Sequence, residues 1–137
     1  MMRLQRLRQL PARDWRLAAR AWCYVVAARV AVSILSFSRL QHLLKRAWTP
    51  AARRCDPRRI GWAVAAASRF VPGASCLPQA VAAHVLLRRA GASSTLILGV
   101  DRTPAHGFRA HAWVESAGLA VVGTGPAPEF TELARIE

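Results

Sequence analysis

The hydrophobic pattern of the chain changes character near residue 71, and this change limits the folds that it can adopt. Before this point, runs rich in Ala, Leu, Val and Arg favour helices over residues 11–37, 39–48 and 57–70. After it, a helix over 77–90 leads into strand patterns at 94–100, 108–115 and 119–122. Helices followed by one helix and an antiparallel set of strands predict an α+β domain.

Charge divides the chain at nearly the same point. Residues 1–75 hold fifteen Lys or Arg against two acids, whereas residues 76–137 hold five of each. We therefore expect residues 1–70 to be a basic helical segment that docks on a partner or a membrane surface, and residues 71–137 to carry the chemistry, the two forming one compact domain. The tryptophans at helical positions of the first segment are expected to pack: Trp15, Trp22, Trp48 and Trp62.

Several classes of function are disfavoured by composition. The three cysteines lack metal-ligand or redox spacing, so we expect no metal and no cofactor, in a reducing, cytoplasmic setting. No helix-turn-helix, zinc-finger or RNA-binding signature occurs, which argues against nucleic acid. Arg29 interrupts the apolar stretch 21–37 and disfavours a membrane span, although a helix lying on a membrane surface remains open.

Cys76 lies at the predicted start of a helix, two residues before Pro78. The first amides of a helix and its dipole favour negative charge, which favours the nucleophilic thiolate and could also stabilise an oxyanion. A lone intracellular cysteine is more often a buried packing residue, but Cys23 and Cys55 have no comparable position. Cys76 is therefore the candidate nucleophile.

His111 lies in a predicted strand that reads F-R-A-H-A-W-V-E. Alternation puts it on one face with Trp113 and Glu115, while Ala112 and Val114 occupy the other face. A histidine beside a buried tryptophan is usually structural, yet a histidine on a strand that follows a helix-start cysteine can accept the thiol proton. His111 is the candidate general base, whereas His84, on the apolar side of the helix, is expected to pack.

Three motifs occur in a fixed order: C-L-P-Q-A-V-A-A-H-V-L-L-R-R-A-G at 76–91, L-I-L-G-V at 96–100 and A-H-A-W-V-E at 110–115. This signature resembles the transglutaminase-like leader peptidase of lasso peptide biosynthesis, in its standalone form. The resemblance implies a papain-like transglutaminase core in which Cys76 and His111 are catalytic. It implies that the leader is removed from a ribosomally synthesised precursor peptide through a thioester. The implied partners are that precursor, a separate leader-recognition protein and the ATP-dependent synthetase that closes the macrolactam.

Enzymes of this kind usually complete a Cys-His-Asp triad, with the acid on the strand after the histidine. A turn at 116–118 predicts Gly123 opposite His111, and a two-residue turn predicts Thr124 there. Glu115 shares the face of His111, but four residues of strand separate the two by roughly 13 Å. The remaining candidates to orient the imidazole are Asp101, Glu129, the Thr124 hydroxyl and a backbone carbonyl. The third member is therefore unassigned.

Two other functions remain open from the sequence. The chain could be a basic module without catalysis, which binds an anionic membrane or a partner through its first half. The same fold could instead carry out transglutamination or deamidation, since water and amines attack the same thioester.

Overall fold

The computed structural model describes residues 11–45, 56–101, 109–123 and 130–137. Within these ranges the chain forms helices and then a small antiparallel sheet, which confirms the predicted α+β class. The helices are α1 (Ala12–Ile34), α2 (Phe37–Leu44), α3 (Pro57–Ser68) and α4 (Cys76–Arg89). The strands are β1 (Thr95–Asp101), β2 (Arg109–Ser116), β3 (Leu119–Val122) and β4 (Phe130–Ile136).

Side chains at the helix starts explain where two helices begin. The Asp56 carboxylate accepts a hydrogen bond from the Arg58 amide at 2.9 Å, and Pro57 occupies the first turn of α3, as predicted. The Ser36 hydroxyl caps α2 in the same way, so this helix begins two residues earlier than predicted. Its predicted end at residue 48 lies outside the described residues.

The sheet has the strand order β3-β2-β1-β4, and each neighbouring pair is antiparallel. Sequence patterns indicate β1, β2 and β3 but miss β4. The reason is a register shift between Leu98 and Gly99, where β4 carries Leu133 as an extra residue. Such a bulge breaks the alternation by which a strand is recognised.

The core lies between the helices and one face of the sheet. α1 and α3 pack on α4, α4 lies against β2, and α3 also reaches β3. That last contact requires a glycine, because a Cβ atom at Gly61 would lie 2.4 Å from the backbone oxygen of Val121. The core is formed by buried side chains from both layers, including Leu17, Val25, Ile60, Val64, Leu87, Leu96, Val114 and Ile136.

The tryptophans of the helical segment do not pack as predicted. Trp15, Trp22 and Trp62 all remain exposed, because α1 and α3 bury other faces against α4; Trp48 lies outside the described residues. α1 is also long and apolar enough, by length and composition alone, to cross a membrane. The core helix of a soluble protein or a signal sequence meets the same criterion, so it assigns no location.

Candidate functional site

Cys76 is the first residue of α4, and its side chain is partly buried against the core. Ser75 precedes the helix without a side-chain capping bond, and the Gln79 amide bonds to the Ser75 carbonyl at 3.4 Å. Pro78 has no amide proton. The amides of Cys76 and Leu77 belong to the first turn, where an α-helix supplies no acceptor of its own. The thiol thus lies beside two donors suited to an oxyanion.

The loop before Cys76 is held by α1 and by α4 itself. Gly73 has a φ of 75°, and a Cβ atom there would lie 2.7 Å from Nε of Arg29, so the guanidinium group of α1 packs against this loop. The Gln79 side chain donates to the Ala74 carbonyl at 2.9 Å. These contacts fix the approach of the chain to the candidate nucleophile.

Side chains of α4 bond to residues that flank β1 and β4. His84 Nδ1 lies 2.6 Å from Ser94 Oγ, and at the far end of α4 Arg88 donates to the backbone oxygen of Glu137, which follows β4. Gly99, five residues after Ser94, lies on β1 and pairs with His111 on β2.

The imidazole of His111 is held by its neighbours on β2. Its ring stacks on Trp113, with centroids 5.9 Å apart and planes 24° apart. Trp113 Nε1 in turn donates to the Glu115 carboxylate at 3.3 Å. The sequence indicates that these three side chains share a face, but not that Trp113 orients the ring. The spacing of two residues between His111 and Trp113 is the sequence signal that could have indicated this ring contact.

The sheet face of His111 is not the face that α4 covers. Ala112 and Val114, which alternate with His111 and Trp113, belong to the core shared with the helices. Cys76 thus lies at the start of α4, and His111 lies on the face of β2 that alternates with the core residues Ala112 and Val114.

The hairpin after β2 has one of the two predicted turns, but a bulge changes the predicted register. A two-residue turn at Ala117 and Gly118 pairs Glu115 with Ala120, and a bulge then pairs Val114 with Val122. Gly123 consequently lies beside Trp113, and a Cβ atom there would lie 2.8 Å from Cβ of Trp113. This position has no room for the acid of a triad.

Of the other residues predicted to orient the His111 imidazole, only Asp101 lies within the described ranges. The backbone of Asp101 pairs with Arg109, two positions along β1 from the Gly99–His111 pair. Thr124 and Glu129 lie outside the described residues. Within the described ranges, no three His, Cys, Asp or Glu side chains form a group suited to a metal ion.

His84 is fully buried in α4, as expected of a packing residue. Burial, with a smaller contribution from Arg88, lowers the pKa of His84 from 6.5 to about 4. The ring is therefore neutral at physiological pH, and its hydrogen bond to Ser94 links α4 to β1.

A helix with a cysteine at its first residue, packed on a small antiparallel sheet that carries a histidine, is consistent with a transglutaminase-like core. The family model of the transglutaminase-like superfamily matches residues 6–135, and the chain belongs to this superfamily. The match includes the helical segment as well as the sheet. Members of the superfamily are mostly cysteine-dependent enzymes. No curated protein and no solved structure matches the chain.

Proposed function

We propose that the protein is a cysteine peptidase in which Cys76 is the nucleophile and His111 the general base. The observation that carries this proposal is the position of Cys76 at the first residue of α4, in a chain of the transglutaminase-like superfamily whose sheet carries His111 on β2. Cysteine peptidase and transglutaminase chemistry are both consistent with that family. Both begin with attack of the thiolate on a carbonyl carbon.

The proposed reaction has two steps. His111 accepts the thiol proton, the sulfur attacks the scissile carbonyl, and the amides of Cys76 and Leu77 stabilise the oxyanion. The amine leaves with the proton from His111, and water then hydrolyses the thioester to release the acid and the free thiol. His111 lies at the third residue of β2, near the strand end, on the sheet face away from α4, so the proposed proton transfer requires its imidazole to turn past this strand end.

The proposed substrate is a ribosomally synthesised lasso precursor, from which the leader is removed before a separate ATP-dependent synthetase closes the macrolactam. The ordered motifs around Cys76, Gly99 and His111 support this substrate through their resemblance to the standalone leader peptidases. A separate leader-recognition protein would supply part of the selectivity, since the catalytic half is small.

The test is incubation with the precursor peptide and the leader-recognition protein, followed by mass spectrometry. We expect two fragments that meet at the leader–core junction, and none with the Cys76→Ala variant. Cys23→Ala is the matched control and should cleave normally, because Cys23 is exposed on α1, outside the proposed catalytic pair. Unchanged cleavage by Cys76→Ala would contradict the proposal. Glutamine deamidation or amine incorporation without cleavage would assign the other chemistry of the fold.

A further inference from the structure

The face of α1 that turns away from the core is wide and largely apolar. Trp15 and Trp22 are each 45% exposed, Val30 is 51% exposed and Ile34 is 73% exposed. At 3.6 residues per turn these positions fall within about one third of the helix circumference, along about 28 Å of its length. They lie opposite the buried stripe, which consists of Leu17, Ala21, Val25 and Ala28. We call the exposed side the outer face of α1.

The charges beside the outer face are all positive. Arg13, Arg16 and Arg20 are exposed along one flank of its N-terminal half. The sole acidic residue of α1, Asp14, is turned toward α3, where its carboxylate pairs with Arg59 at 2.5 Å. α1 therefore presents apolar side chains and cations on its outer face, with no carboxylate of its own to neutralise them.

This composition favours an α1 that lies in the plane of a membrane surface over an α1 that crosses the membrane. A transmembrane orientation would strip the buried stripe of α1 from α3 and α4 and carry Arg20 and Arg29 into hydrocarbon, which is costly. A helix lying in the plane of the surface keeps its core contacts. Aromatic and aliphatic side chains bordered by arginines are typical of such interfacial helices, and they favour anionic lipid.

We propose that α1 docks with its outer face on an anionic membrane surface. Trp15, Trp22 and Ile34 enter the boundary between headgroups and acyl chains, while Arg16 and Arg20 bind lipid phosphates. This inference does not depend on the proposed peptidase activity, and it assigns a role to the excess charge of the first half of the chain.

The first test is co-sedimentation of the full chain with phosphatidylcholine vesicles, with and without phosphatidylglycerol, over a salt series. We expect binding only when phosphatidylglycerol is present, with affinity falling as salt rises. Arg20→Glu should weaken binding by about tenfold or more, since each cation near the surface contributes about fivefold. Arg135→Glu makes the same charge change on the exposed edge strand β4 and should stay within about twofold.

Three results of this experiment would overturn the proposal. The first is equal loss of binding by the two variants, because net charge rather than the outer face would then determine affinity. The others are absence of binding to anionic vesicles and equal binding to vesicles of phosphatidylcholine alone. Arg20 is exposed, so circular dichroism should show both variants folded as the wild type is.

The second test locates the contact on the chain. Cys23 is exposed next to Trp22 and can carry an environment-sensitive fluorophore in a Cys55→Ser, Cys76→Ser background. We expect its emission to shift to shorter wavelength on anionic vesicles. The matched probe is Leu133→Cys with Cys23→Ser, at an exposed position of β4, and its emission should not shift. A vesicle-bound protein whose Cys23 probe is unshifted would exclude docking through α1.

Discussion

His84 Nδ1 lies 2.6 Å from the hydroxyl oxygen of Ser94, and this contact joins the middle of α4 to the residue before β1. It ties α4 to β1, the strand whose Gly99 pairs with His111. The same buried ring makes the stability of the domain depend on pH.

Stability should fall as the pH drops from about 6.5 to about 4. In the unfolded chain His84 binds a proton near its ordinary pKa of 6.5, whereas burial lowers the pKa to about 4 in the folded protein. Between these values the unfolded state binds more protons, so acid favours unfolding; above 6.5 both states are neutral and no cost arises. Once the pH is below both pKa values, this shift lowers the free energy of unfolding by about 3 kcal/mol. Urea unfolding at a series of pH values measures it.

The control for this pH dependence is the exposed histidine of α2. As the pH drops, the free energy of unfolding should fall less for His84→Gln than for the wild type. For His42→Gln, the free energy of unfolding should fall with pH as it does for the wild type. Equal slopes for the wild type and His84→Gln would contradict the assignment.

Gly61→Ala should destabilise the protein by about 1–3 kcal/mol, because the added methyl group would overlap the Val121 backbone oxygen of β3. Alanine in a helix is otherwise more favourable than glycine by about 1 kcal/mol, so the sign of the effect is informative. Gly118→Ala is the comparison: it meets no atom within 4 Å but sits at a φ of 79°, and should cost about 1 kcal/mol. Chemical denaturation that finds Gly61→Ala neutral or stabilising would refute the close packing of α3 on β3.

Trp113 should stabilise the fold through the volume of its side chain and should position His111 through the stacking of its ring. Trp113→Ala removes a buried side chain and should lower the free energy of unfolding by about 3–5 kcal/mol, whereas Trp113→Phe keeps a ring beside His111 and should cost less. In proton NMR spectra, the His111 ring resonances should lose their ring-current shift in Trp113→Ala but keep it in Glu115→Gln. Unchanged His111 resonances in the alanine variant would show that the two rings do not stack in solution.

Much of the fold could be predicted because local signals agree with it. Pro78 and Gly91 bracket α4, the Ala117–Gly118 turn closes a hairpin, and Asp56 caps α3. β4 could not be predicted, since the bulge at Leu133 replaces alternation by apolar residues at every third position. The register opposite β2 was wrong for a similar reason, a bulge that pairs Val114 with Val122.

The candidate site could be predicted less completely. Sequence locates Cys76 at a helix start and His111 on a strand, because both positions follow from local patterns. The sheet face that α4 covers depends on packing between distant segments, so alternation alone does not decide whether His111 or Ala112 faces the helix. The exposure of Trp15 and Trp22 is set in the same way, by which stripe of α1 meets α3 and α4.

In the proposed mechanism, His111 activates the thiol of Cys76. The most direct test is the rate at which iodoacetamide alkylates each cysteine at neutral pH, followed by peptide mass spectrometry. Cys23 is the internal reference, because it is exposed and accessibility alone would make it the faster of the two. We predict that Cys76 reacts faster than Cys23 and that His111→Gln slows Cys76 without changing Cys23. A Cys76 that reacts no faster than Cys23, or that is unaffected by His111→Gln, would contradict the account.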